Sequence, residues 1–269
     1  MLVKNNHFKE VLKGASSSFM VKAISAAVSL IFYMYLGRVL GAEGAGLFFL
    51  TLTVLTVASV VGRFGLENTL LKLVSEGASQ NKWGSVSSGY LKSLRIAFFV
   101  SILISIIIYA ASDYISLLVF STKDKAFLIE LAAISVTPLA LSVLHAQAIQ
   151  GLKRIFFSSI ILNLLVPLIA LVAAVLTAER YGVVGVVSSY VFAIYAVFVI
   201  SVILWFNLVK NQKNDSSKVE YEEIYSSCLP LFWVSLLQMT INWFPYVALG
   251  ASASESEVGV FGVCVRVVT

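Results

Sequence analysis

Charge is scarce in this chain. Only 12% of its 269 residues are Asp, Glu, Lys or Arg, against about 25% in a soluble domain, and this excludes a water-soluble globule. Chemically versatile side chains are scarce too. There are two histidines, His7 and His145, too few for a histidine cluster. The two cysteines, Cys228 and Cys264, sit in or beside apolar runs without metal-ligand spacing and read as small buried hydrophobes. No phosphate-binding glycine loop, nucleophile elbow, paired aspartates or metal-spaced motif occurs. We therefore expect no enzyme, no metal and no cofactor. Lys4, Lys9 and Lys13 resemble the basic start of a signal peptide, but the apolar stretch behind them is too long and has no clear cleavage site.

What the chain does have is apolar residues, 59% of the total with a mean hydropathy of +0.93. They come in runs of about 20, the length that crosses a hydrocarbon core of about 30 Å as helix. Lipid offers the backbone no hydrogen-bond partners, so such runs must be helical. The fold class is all-α, a polytopic membrane protein. The expected helices are Ala15–Leu36, Gly44–Phe64, Ser93–Ala111, Phe127–Gln150, Phe156–Ala178, Val184–Val209 and Ser227–Gly250, with an eighth opening at Val258. Residues 67–82 read as a charged connection and residues 210–226 as a hydrophilic linker. Pro245 is expected to kink helix seven.

The loops carry the basic residues asymmetrically. With the N-terminus in the cytoplasm, Lys4, Lys9, Lys13, Lys22, Arg63, Lys72, Lys82, Lys92, Arg95, Lys153, Arg154, Lys210, Lys213 and Lys218 fall on the inner side. Arg38, Lys123, Lys125 and Arg180 fall outside. This bias sets a cytoplasmic N-terminus in the cell membrane. The net charge of +5 is thus mostly topology, and nucleic acid drops out as a partner.

A glycine-punctuated turn, Leu36-Gly37-Arg38-Val39-Leu40-Gly41-Ala42-Glu43-Gly44-Ala45-Gly46-Leu47-Phe48, has an echo near the end of the chain. An offset of 213 residues pairs Leu36 with Leu249, Gly37 with Gly250, Gly46 with Gly259 and Phe48 with Phe261. The polar residues follow the same offset. Ser18, Lys22, Ser25, Ser29 and Tyr33 lie within about an 80° arc of helix one. The offset places Lys22 on Ser235, Ser25 on Gln238, Ser29 on Asn242 and Tyr33 on Tyr246. The chain therefore reads as a six-helix lobe (1–209), a cytoplasmic linker (210–226) and the start of a second, pseudo-repeated lobe (227–269), truncated within helix eight. Parallel repeats of this kind place a substrate site between the halves. The alternative for each stripe is helix packing through small and hydroxylated residues.

Cations inside the membrane need a reason. Lys22 lies about seven residues into helix one, roughly 10 Å deep, and either snorkels or faces a cavity. Thr53, Thr56, Ser59, Arg63 and Glu67 share about a 120° arc of helix two; Arg63 and Glu67 stand at i, i+4 and can form an ordinary pair. Arg266 falls on Thr53 under the offset. The functional reading is a cationic patch of Lys22, Arg63 and Arg266 for a phosphate or diphosphate head group. Lys92 and Arg95 would stand at its mouth, with Ser25, Ser29, Tyr33, Thr56, Gln238, Asn242 and Tyr246 lining the cavity. His145 reads as a satisfied interface histidine, and Glu130 as a group near the outer interface.

The turn from Tyr35 to Phe48 resembles the first hairpin of bacterial polysaccharide exporters and O-antigen flippases. Gly62-Arg63-Phe64-Gly65-Leu66-Glu67-Asn68-Thr69 through Val74-Ser75-Glu76 is similar to that family's continuation. Gln150-Gly151-Leu152-Lys153-Arg154 resembles its turn between helices four and five, and Leu249-Gly250 through Phe261 its second-lobe hairpin. These belong to the multidrug/oligosaccharidyl-lipid/polysaccharide exporter superfamily. The resemblance implies a MATE-like transporter fold with two lobes, alternating access, and an undecaprenyl-diphosphate-linked oligosaccharide as cargo. Membrane lipid and other polysaccharide-assembly membrane proteins would be partners. The rivals are a cation-coupled multidrug or metabolite antiporter of the same fold, a membrane polymerase or glycosyltransferase acting on lipid-linked sugars, and a non-transporting scaffold.

Overall fold

Two glycines divide the longest apolar runs. Helix α1 spans Leu2–Arg63, which as one straight rod would reach about 93 Å, three times a bilayer core. Instead Gly41, with φ 70° and ψ −176°, turns the chain through a conformation open to a residue without a Cβ. The ring centroids of Phe32 and Phe48 are 5.7 Å apart and those of Tyr33 and Phe49 5.4 Å. A continuous helix would separate such pairs by about 24 Å, so α1 is a hairpin of two antiparallel arms. Helix α7, Leu165–Val209, folds back in the same way at Gly182 (φ 56°). There the Thr177 hydroxyl donates to the Gly185 carbonyl (3.1 Å) and lies 2.8 Å from Ser189 Oγ.

The computed structural model describes residues 2–212, 216–217, 219–252 and 255–268. Side chains are described from residue 16 onward with gaps that include Asn242 and Arg266. Between the two hairpins come α2 (Leu66–Ser79), α3 (Trp83–Ala110), α4 (Ser112–Phe120), α5 (Ala126–Gly151) and α6 (Ile155–Ser159). A π-turn, Ile160–Leu164, joins α6 to α7; α8 (Tyr221–Ser252) and α9 (Glu255–Val268) follow. Pro167 has no N–H to return to the Asn163 carbonyl, and the widened turn sits immediately before it.

Among the described residues four stretches are long and apolar enough to cross a membrane: Ser18–Arg63, Trp83–Ala110, Ala126–Gly151 and Ile155–Val209. Folding of the first and last at Gly41 and Gly182 turns these into six passes. Large apolar side chains such as Leu176 (79% exposed) and Ile241 (77%) point outward, an arrangement that suits a lipid solvent.

The charged connection after Arg63 is a correction to the sequence reading. Residues 66–79 form α2, with Leu66, Thr69, Leu70, Val74 and Gly77 buried at spacings of three and four, Lys72 and Glu76 exposed and Glu67 half-buried. Helix three starts ten residues earlier than expected, at Trp83, and a short α4 follows it. Helix α8 runs through Pro230 and Pro245.

The buried residues form two clusters. One centres on Phe32, Tyr33, Phe48 and Phe49 of α1 with Ile129, Ile194 and Tyr246. The other, toward the α2 end, joins Leu66, Leu70, Tyr90, Leu144, Trp205, Ile224 and Cys228. Here Tyr90 stacks on Trp205 at 4.2 Å and meets the edge of His145. His145 is buried, with Nδ1 2.6 Å from the Leu141 carbonyl.

Candidate functional site

The second arm of α1 carries a seam against α8 and α9. At its turn-proximal end, small residues let the helices touch. A Cβ at Gly259 would collide with the Ala42 carbonyl oxygen and stand 2.9 Å from the Gly46 nitrogen. One turn further, a Cβ at Gly262 would meet the Phe49 ring at 2.5 Å. Phe49 is the hub of this end. Its ring lies 5.4 Å from Tyr33 and 6.2 Å from Tyr246, and Tyr246 meets Phe261 edge-on at 5.3 Å. Three pairs related by the 213-residue offset, Gly46 with Gly259, Tyr33 with Tyr246 and Phe48 with Phe261, thus gather at one place.

The other end of the seam is polar. Arg63 Nε donates to Glu67 Oε2 at 2.5 Å, and Arg63 Nη1 donates to Ser59 Oγ at 2.8 Å. The Ser235 hydroxyl of α8 donates to Glu67 Oε1 at 3.0 Å. Phe64 packs on Phe232 with centroids 4.9 Å apart, and a Cβ at Gly65 would stand 2.5 Å from the Cys228 oxygen and the Phe232 nitrogen. The Arg63 and Glu67 side chains are only 11% and 16% exposed. Both carboxylate oxygens are engaged, so the pair is neutral as a unit. Two guanidinium nitrogens hold bonds, and the remaining N–H groups of the fork are the ones a ligand anion could reach.

The other expected residues are placed variously. Lys22 is exposed on the first arm of α1. Ser25 is buried and its hydroxyl donates to the Val21 carbonyl at 2.7 Å; Ser29 is half-buried. Ser18, at the end of the same stripe, has its hydroxyl 3.0 Å from that of Ser159 in α6. Thr56 is half-buried two turns beyond Phe49, and Gln238 is exposed on α8. Asn242 and Arg266 lie outside the described side chains. The structure therefore brings Tyr33 and Tyr246 onto one ring, and Arg63 onto Glu67 and Ser235. At the tyrosines the two stripes meet through the ring of Phe49. Lys22 makes no ion pair among the described residues.

Phe49 and Ser235 went unrecognised as site residues. The offset contained a signal for both: it pairs bulky Phe49 with Gly262, a fit of large against small, and it already set Ser235 opposite Lys22. Lys92, expected at a cavity mouth, instead holds the linker. Its Nζ donates to the Val219 carbonyl at 2.7 Å, faces Glu220 at 3.9 Å and caps the Tyr221 ring at 4.3 Å. Arg95 is exposed. An aliphatic cleft of about 440 Å³ lies beside the seam, where Leu50, Val54, Val57 and Ala58 of α1 face Ile104 of α3 and Val119 of α4. Thr53, on the same wall, donates its hydroxyl to the Phe49 carbonyl at 2.8 Å.

Six helical passes, two glycine hairpins and a seam of close-packed helices define a multi-pass membrane protein with the fold of the MATE-like transporters. Two solved structures share that fold. A MOP superfamily transporter from Pyrococcus furiosus superposes with a TM-score of 0.68 at 16% identity, covering 96% of this chain and 59% of that one. The MATE multidrug transporter DinF-BH gives 0.59 at 18% identity, covering 94% of this chain and 58% of its own. The chain thus spans about three fifths of the length of these structures. Among curated proteins none matches it. The chain belongs to the polysaccharide biosynthesis protein family, whose model matches residues 11–269.

Proposed function

We propose that this protein is a transporter of the cytoplasmic membrane, N-terminus inside, that moves a lipid-linked oligosaccharide to the outer leaflet by alternating access. The observation that carries the reading is the seam. Residues related by the 213-residue offset meet there, as expected when two parallel lobes (1–209 and 227–269 onward) are related by an axis along the membrane normal. In such transporters the cargo site lies on that axis, and membership in the polysaccharide biosynthesis family supports a saccharide cargo.

In this reading Arg63 is the phosphate-binding cation, released from Glu67 when the lobes part, with Lys22 and Arg266 joining it on the head group. Ser25, Ser29, Thr56, Gln238 and Asn242 face sugar hydroxyls once the Tyr33–Phe49–Tyr246 contact opens. Arginine suits the task because its planar fork matches phosphate oxygens in pairs. Alanine at Lys22, Arg63 and Arg266 together should abolish surface-polysaccharide export in cells that depend on this protein. Unchanged export would remove the head-group assignment. A drug-efflux phenotype driven by a Na⁺ or H⁺ gradient, without a polysaccharide defect, would instead favour the antiporter chemistry of the MATE multidrug transporter fold.

A further inference from the structure

The motif Gln150-Gly151-Leu152-Lys153-Arg154 has no part in the seam. It forms the turn between α5 and α6 and one wall of a separate pocket of about 270 Å³, walled also by Ser75 and Ser79 of α2, Trp83 of α3, and Gln212 beyond α7. That volume equals about nine waters at roughly 30 Å³ each, enough for a phosphodiester head group. The turn is held by backbone bonds from Lys153 N to the Gln150 carbonyl (2.9 Å) and from Arg154 N to the Ile149 carbonyl (3.3 Å). Lys153 has φ 59°, a left-handed conformation that a long side chain seldom adopts and that sets it beside Arg154 at the rim.

The cations here differ from the two that are tied within the structure. Arg63 is neutralised by Glu67, and Lys92 is tied to the linker. Among the described residues, Lys153 and Arg154 are exposed and make no ion pair or side-chain hydrogen bond, and none that lines the pocket is a carboxylate. The donors available are the ammonium, the guanidinium, the Gln212 amide and the Trp83 indole N–H. Immediately beyond Arg154 the chain presents Ile155, Phe156 and Phe157, all exposed. A cationic pocket bordered by an outward apolar apron matches the division of a phospholipid into phosphate and acyl chains. Tryptophan is also a usual resident of the membrane–water boundary. A soluble anion would use the pocket and leave the apron without a role.

We propose that this pocket seats the phosphate of an anionic phospholipid in the leaflet on the basic side of the protein, with its acyl chains along Ile155–Phe157. Basic pockets between membrane helices on the cytoplasmic side are suited to such head groups. The test is native mass spectrometry of the purified 269-residue protein in micelles containing equal phosphatidylglycerol and phosphatidylcholine. Wild type should retain phosphatidylglycerol preferentially and lose it in high salt. The K153Q/R154Q variant should lose about tenfold in that preference, K153R/R154K should keep it, and the opposite-side control K123Q/K125Q should match wild type. Equal retention of the two lipids by wild type, a measurement independent of how any variant folds, overturns the proposal. So does a preference that survives K153Q/R154Q. If inorganic diphosphate stabilises wild type through Lys153 and Arg154 while phosphatidylglycerol is not preferred, the ligand is a soluble phosphate and the lipid assignment is overturned.

Discussion

The two ends of the seam are held by different mixtures of contact. Near the Gly41 turn the contact is glycine against backbone and ring against ring, with Gly259 on Ala42 and Gly46 and Phe49 between Tyr33 and Tyr246. At the α2 end packing of that kind, Gly65 against Cys228 and Phe232 and Phe64 on Phe232, is joined by a guanidinium, a carboxylate and two hydroxyls. Close packing is a short-range, dispersion-dominated contact that is lost within an ångström of separation and ignores salt. The polar end persists over small displacements, can exchange partners, and weakens with ionic strength where water reaches it. A seam that must open and reclose therefore has a steep end and a compliant end, and substitutions can tell them apart.

The largest effect is expected at the steep end. A leucine at Gly259 puts a branched side chain where even a Cβ collides with the Ala42 carbonyl, so α9 must lift off α1. Overpacking of this kind costs about 1–3 kcal/mol, occasionally more, and should appear as a lowered thermal midpoint of the solubilised protein. Gly37→Leu is the control, because nothing stands within 4 Å of its Cβ position and leucine favours helix over glycine by up to about 1 kcal/mol. Equal losses from both variants would mean that the glycine contact does not hold the seam.

Much of this end is visible in the sequence, because lipid forces every apolar run into helix and the glycine turn marks where each hairpin folds. The offset also finds Tyr33 and Tyr246, since both members of the pair are aromatic. Phe49 is harder to find, because its partner Gly262 matches it by complementary size and not by likeness. Helix α2 escapes notice for a related reason: hydropathy sees Glu67, Lys72 and Glu76, whereas the stripe of Leu66, Leu70 and Val74 is a matter of spacing. The partners of polar residues are harder still. Ser25 could face a cavity as readily as bond to Val21 by sequence alone, since any helical serine can return its hydroxyl to the preceding turn. The bond from Ser235 to Glu67 joins residues 168 positions apart, and nothing local announces it.

At the compliant end Arg63→Ala comes next in size. It leaves the Glu67 carboxylate largely buried with Ser235 as its one remaining donor, and unpairing such a group costs about 1–3 kcal/mol. Removing both charges, as Arg63→Ala with Glu67→Ala, should recover part of that loss, because an absent pair is less harmful than half of one. A double-mutant cycle on thermal or denaturant stability measures the coupling. Additive losses would show that the two side chains do not depend on each other. Arg63→Lys should retain little of the benefit, since an ammonium cannot reproduce the simultaneous Nε and Nη1 bonds to Glu67 and Ser59.

Ser235→Ala is expected to do least, about 1 kcal/mol or below, because Glu67 still keeps Arg63 when the hydroxyl is gone. Its value lies in its dependence on background. Once Arg63 is alanine, Ser235 supplies the last side-chain bond to the carboxylate, so deleting it there should cost more than deleting it in the wild-type chain. The excess is the share of the seam carried by exchange of one carboxylate between a partner on the α1 hairpin and a partner on α8. An identical loss in both backgrounds would mean that the two donors do not compete for Glu67, and the polar end would then be as unyielding as the glycine end.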